Sequence, residues 1–177
     1  MLFNGFKAQP ISRRQIRQIV KMIKRKCGLE KVTKFPVCVF FEFIMGKLFP
    51  DFEWEIRSKK EMPEEGLTFP AQKKIDIRDD VYKAACRGEG RARFTIMHEI
   101  GHLILHNSNK VALCRLSAGE RLRAFEDPEW QADNFAAEFL MDKDLVLGMN
   151  PLEISKACDV SRGAAQARID ILMKERN

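Results

Sequence analysis

The sequence predicts an α+β fold, mainly helical, with a small three-stranded sheet preceding a helix that carries His98-Glu99-x-x-His102. Three observations lead there. Apolar residues recur at helical spacing from Ile16 to Cys27 and again from Trp130 to Leu140, which is the signature of helices burying one face. Between them, apolar and charged residues alternate around Phe52, Trp54 and Ile56 and again at Ile75 and Ile77, the period of half-buried strands. All three histidines of the 177 residues fall within Arg93 to His106.

Ser12 caps a first helix in which Ile16, Ile19, Val20, Ile23 and Cys27 form an apolar stripe, and Gly28 ends it. Arg13, Arg14, Arg17, Lys21, Lys24, Arg25 and Lys26 occupy its other faces. Residues 1–34 hold ten Lys/Arg against Glu30 alone, so this segment carries +9 while the whole chain carries +6. Such a helix either meets nucleic acid, an acidic partner or an anionic surface, or presents a solvated face while packing on the rest; a charge run alone favours the latter. Pro36 opens a second helix through Val39, Phe40, Phe43, Ile44 and Leu48, whose bulk suggests core; a strand over the same run is the alternative. Three short strands follow, with turns at Met62-Pro63 and Phe69-Pro70. Asp79-Asp80 starts a helix through Val81 to Cys86, which Gly88 and Gly90 separate from the histidine-bearing one.

On a helix, His98 and His102 lie one turn apart on the same side, so both imidazoles can meet one metal ion with Glu99 beside them. That pattern suits zinc: two neutral nitrogen ligands, and a carboxylate placed to take a proton from the attacking water. His106 lies roughly 12 Å from His98 along the axis, too far to share the ion, and is instead a candidate for supporting a ligand or ending the helix. The third ligand is sought downstream. Asp127 is an N-cap and Pro128 a first helical residue, beginning a helix to Met141. Its apolar face, set by Trp130, Ala132, Phe135, Ala136, Ala137, Phe139 and Leu140, includes Glu129 and Asp133, whereas Gln131, Asn134 and Glu138 fall opposite, and Glu138 reads as solvated. Carboxylates aimed at a core need a partner. Glu129 is therefore the expected third ligand and Asp133 the expected support for a histidine ring; dipole compensation and an arginine pair are the alternatives.

The run Gly88-Glu89-Gly90-Arg91-Ala92-Arg93-Phe94-Thr95, the motif His98-Glu99-Ile100-Gly101-His102 through His106, and Glu129-x-x-Ala132-Asp133-x-Phe135-Ala136-Ala137-x-x-Leu140-Met141 together resemble the ImmA/IrrE family of zinc metallopeptidases. The likeness is strongest from Gly66 to Met141; Asp142 departs from it, where relatives often have proline. The resemblance implies a zincin-like fold, one Zn²⁺ per chain on His98, His102 and Glu129, and Glu99 as general base. It further implies a protein substrate, a helix-turn-helix transcriptional repressor whose cleavage derepresses genes. By analogy with zincin-like proteases, an edge strand pairs with the substrate, and the strand from Lys74 to Arg78 is the candidate cleft wall. Tyr82, the one tyrosine, and Arg91 are candidate oxyanion donors, although packing accounts for Tyr82 equally well.

The connection from His106 to Asp127 suits a cleft rim or lid. Asn150-Pro151 starts a helix to Cys158, and Val160-Ser161 precedes a last one from Arg162 to Lys174. Their spacing loosely resembles a helix-turn-helix, with Asp159 where glycine is usual, but no base-reading set is evident, and two helices closing the core are favoured. The whole reads as one metallopeptidase domain over residues 1–177: a basic N-terminal helix to about 34, a catalytic core over about 35–148, and a helical tail over about 149–177. Five scattered cysteines, without a Cys-x-x-Cys, favour reduced thiols in a cytoplasmic protein, and no run is long enough to span a bilayer. The competing function is a non-proteolytic DNA- or repressor-binding regulator with a structural metal. Glu99 argues against it, since a structural site has no use for that carboxylate and is usually closed by four protein ligands.

Overall fold

The computed structural model describes residues 6–106, 114–115 and 122–175. It is mostly helical with a small mixed sheet, as expected. The lid expected between His106 and Asp127 falls largely outside the described residues.

Helix α1 (Arg13–Lys26) begins with a capping box, Ser12 accepting from the Gln15 amide while the Gln15 side chain accepts from Ser12. Ile16, Val20 and Ile23, at i, i+4 and i+7, are buried. The second helical stretch runs over residues 37–48, α-helical at α2 (Val37–Val39) and α3 (Met45–Leu48) with a π turn at Phe40–Ile44 between them. The wider turn directs Phe40, Phe41 and Met45 inward together. Val39 and Phe43, expected in the core, are 50% and 62% exposed as a result.

Strands β2 (Glu53–Arg57), β3 (Gly66–Phe69) and β4 (Lys74–Arg78) form a sheet in the order β2-β4-β3. β4 pairs parallel with β2 and antiparallel with β3. The expectation that β4 walls the cleft as an edge is therefore corrected: β4 is central, because the parallel pairing carries it between the other two, and β3 is the edge on the cleft side. A short antiparallel pair joins β1 (Phe6–Lys7) to β5 (Cys114–Arg115).

After α4 (Asp79–Cys86), α5 (Gly90–Leu105) runs through the centre with Ile96, Met97, Ile100 and Leu103 buried. Its principal neighbour is α6 (Pro128–Leu140), and the approach is close: a Cβ at Gly101 would stand 3.2 Å from the Ala132 Cα and the Phe135 Cβ. Phe35, Phe40, Phe135 and Phe139 pack edge-on or tilted beside this contact, with centroids 5.0–5.4 Å apart. α7 (Lys143–Val146), α8 (Pro151–Cys158) and α9 (Arg162–Lys174) complete the chain. Ile154, Cys158, Val160, Ala165 and Leu172 face the core, as two closing helices should.

The other side of α6 corrects the expectation that Glu138 is solvated. It is 1% exposed, because α1 and α9 cover the face opposite α5. Arg168 donates to both Glu138 oxygens at 2.9 and 2.7 Å, and Arg17 donates to them from the other side. Arg13 donates to Asn134 at 2.6 Å, and buried Lys24 lies 3.3 Å from Asp142. Several α1 cations are thus internal fasteners. Burial alone would raise the Glu138 carboxyl, but the two guanidiniums outweigh it and hold it below the usual range.

Glu138→Ala leaves Arg168 buried without its partner and should cost about 3–5 kcal/mol, read as a lower urea midpoint. Because the folded Glu138 is depressed, its contribution is present above about pH 4.5 and is lost as pH falls through the folded value; the variant should therefore show a flatter acid limb in stability against pH.

Candidate metal centre

α5 delivers His98, Glu99 and His102, and α6 delivers Glu129 from its first turn, where the Asp127 carboxylate caps the Glu129 amide at 3.0 Å. The Nε2 atoms of His98 and His102 lie 2.9 Å apart, and Glu129 Oε2 is 3.3 Å from the first and 3.7 Å from the second. Donors at zinc-like bond lengths in a tetrahedron are about 3.3 Å from one another, so these separations fit a single ion. Among the described residues, His98, His102 and Glu129 are the one group of three or more His, Cys, Asp or Glu side chains that converges in this way.

Both rings turn Nε2 to the common point because their Nδ1 atoms are engaged elsewhere. His98 Nδ1 is 2.8 Å from Asp133 Oδ1. Asp133 was expected on the apolar face; it is exposed at the cleft margin and reaches His98 from there. His102 Nδ1 is 3.0 Å from His106 Nδ1, and His106 Nε2 is 2.9 Å from Gln131 Oε1. The Gln131 amide nitrogen donates to the carbonyls of Gln9 and Phe125 at 2.9 and 2.8 Å, which fixes its oxygen toward His106. His106 then donates from Nε2 and accepts at Nδ1, so His102 carries its hydrogen on Nδ1 and presents the Nε2 lone pair to an ion. Burial first, then the neighbouring His102, hold His106 down at about 4, which keeps it neutral for that role.

Glu99 sits beside the donors, nearly buried, with the Thr68 hydroxyl 2.6 Å from Oε2. Gly66 allows this, since a Cβ there would be 2.7 Å from the Glu99 Cγ. Glu64 to Thr68, Arg91, Phe94, Thr95, Glu129 and Asp133 complete a cleft of about 470 Å³ around the histidines and Glu99. Arg91 lies on its rim, 3.0 Å from Glu65. Tyr82, a candidate oxyanion donor, is corrected: it is outside this lining, its hydroxyl donates to Glu42 at 2.6 Å, and its ring stacks with Trp54. Thr68, Gly66 and Gln131 escaped the sequence reading. Thr68 and Gly66 meet Glu99 only through the fold, and Gln131 lies 200° around the helix from Glu129, a position that reads as solvent-facing.

Burial lowers the His98 pKa, but Asp133 and Glu129 more than offset it and hold the ring at about 9, while the two histidines hold Glu129 well below the usual carboxylate range against its own burial. At pH 7 the metal-free chain therefore keeps a proton on His98 that an ion must displace. Metal uptake should release about one proton and tighten about tenfold per pH unit up to about 9, measured by calorimetry in buffers of differing ionisation enthalpy. Gln131→Leu, which removes the acceptor of His106, should weaken metal binding about 10–100-fold in chelator competition on folded protein.

No curated protein matches the chain. A family model does: the one described as the IrrE N-terminal-like domain, over residues 56–170, a span that includes the sheet's central and cleft-side strands, α5, α6 and most of α9. The chain belongs to this metallopeptidase family, Peptidase_M78.

Proposed function

We propose that the chain is a zinc-dependent endopeptidase. His98, His102 and Glu129 hold the ion, Glu99 is the general base, and the substrate is a helix-turn-helix transcriptional repressor whose cleavage derepresses genes. One observation carries the catalytic reading: three donors converge at an open cleft with a tethered carboxylate beside them. A metal held for structure alone would normally be closed in by four protein ligands. The repressor as substrate rests on the family likeness.

When bound, zinc acidifies the attacking water and polarises the scissile carbonyl. The residues do the rest. Thr68 donates to Glu99 Oε2 and leaves Oε1 to take the water's proton and pass it to the departing amine. β3, as the edge strand along the cleft, receives the substrate backbone antiparallel or parallel to itself, and Leu67 and Phe94 give the groove apolar surface. Arg91 is the remaining candidate to face the developing oxyanion once a substrate displaces it from Glu65.

Metal content and repressor cleavage should be measured together on the native chain, Glu129→Ala and Glu99→Gln. Near one zinc per chain is expected for the native protein and for Glu99→Gln, with loss in Glu129→Ala. Cleavage should fall about 10²–10⁴-fold in Glu99→Gln despite retained metal. A Glu99→Gln chain that still cleaves would overturn the assignment of the base, and a native chain that takes up no zinc would overturn the reading as a whole.

A further inference from the structure

Two thiols outside the metal centre meet between helices. Cys38 is in α2 and Cys86 is the last residue of α4, and their Sγ atoms are 3.1 Å apart across 48 positions of sequence. Four residues further along one helix and four back along the other, the Tyr82 hydroxyl donates to Glu42 Oε1. Residue 38 faces 86 and 42 faces 82, so the two stretches run antiparallel and are held in register by two rungs. Cys86 is exposed and Cys38 partly buried. A disulfide needs a sulfur separation of about 2.0 Å, roughly 1 Å less than the two thiols already have.

We propose that Cys38 and Cys86 form a reversible oxidation site, converted by a hydroperoxide such as hydrogen peroxide into an intramolecular disulfide. The Cys86 thiolate attacks one peroxide oxygen, the O–O bond breaks, and the other oxygen leaves as water after taking up a proton; Cys86 is then a sulfenic acid. The Cys38 sulfur attacks the Cys86 sulfur, the S–O bond breaks, and the departing hydroxide takes the Cys38 proton as a second water. Two thiols and one peroxide give one disulfide and two waters; the sulfurs lose the two electrons that the peroxide gains. Exposure makes Cys86 the first to react. Burial, then the neighbouring Cys86 thiol, push Cys38 up to about 12, which keeps it protonated until the sulfenic acid forms beside it.

The closed loop holds all of β2, β3 and β4. Cross-linking its ends removes open conformations of this segment from the unfolded chain and fastens the sheet, including the β3 wall of the cleft, between helices that both touch α5. The inference stands on these thiols and does not depend on the metal.

The test uses the 177-residue, metal-loaded chain, reduced and then treated with one equivalent of hydrogen peroxide. The expected product is a monomer lighter by two hydrogens, with tryptic peptide 35–47 joined to 84–87, reversed by dithiothreitol, and with a higher urea midpoint than the reduced chain. Cys38→Ser should leave Cys86 as a sulfenic acid trapped by dimedone, Cys86→Ser should leave Cys38 unmodified, and neither should gain stability on oxidation. A disulfide between other cysteines, a cross-link between two chains, or direct over-oxidation of Cys86 in the native chain would overturn the proposal.

Discussion

The close approach of α5 and α6 is the constraint on which the rest of the molecule depends. Gly101 has no side chain to hold the helices apart, and Ala132 opposite it adds almost nothing, so the two backbones come within van der Waals contact. Gly101 lies between the paired histidines, three positions after His98 and one before His102. The point of closest packing therefore sits beside the proposed ligands, and the first turn of α6 places Glu129 against both rings. A larger residue at this crossing would separate the helices and widen both distances from Glu129 to the histidines together, leaving the spacing of the two imidazoles unchanged, because the carboxylate belongs to α6 and both rings to α5.

That packing has a consequence on the far side of α6. A helix with one neighbour keeps a polar face in water, but α6 is enclosed by α5 on one side and by α1 and α9 on the other. Glu138, Asn134 and Gln131 are polar and buried, and each is matched: two guanidiniums on Glu138, Arg13 on Asn134, two backbone carbonyls and His106 on Gln131. Two cations of the N-terminal helix, Arg13 and Arg17, meet these groups directly. Arg13, Arg17 and Lys24 thus let this basic helix pack closely on the rest of the chain with their charges matched internally.

Local pattern made much of this legible. Ser12, Asp127-Pro128 and Asn150-Pro151 mark helix starts because capping is a relation between residues two or three apart, and the structure has the helices begin there. The grouping of His98, His102 and Glu129 was reachable for a similar reason: one helical turn relates the histidines, and an acid on an apolar face asks for a partner. What the sequence did not disclose depends on layers. The helical wheel of α6 assumes a single buried face, so it sent Glu138 and Gln131 to solvent and Asp133 to the core, the reverse of what enclosure on two sides produces. Strand order failed similarly: alternation found β2, β3 and β4, but nothing in a strand's own residues says whether it is central. The cleft wall was therefore assigned to β4 when it belongs to β3.

The position of β3 joins the two halves of the proposed chemistry. Thr68 has one hydroxyl hydrogen and two acceptors in reach, the Glu99 carboxylate at 2.6 Å and the Glu99 carbonyl at 2.9 Å; the charged, nearer oxygen is the stronger acceptor. The strand that lines the cleft is thus also the anchor of the carboxylate beside the metal donors, and Gly66, two residues earlier on the same strand, gives that carboxylate its space. Movement of β3 relative to α5 would shift the wall and disturb the hydrogen bond by which Thr68 holds the Glu99 carboxylate. Under the proposed function, a peptide seated along β3 would be placed relative to Glu99 by the same strand that hydrogen-bonds the carboxylate, so the register between scissile bond and base would follow from sheet geometry instead of from two independent loops.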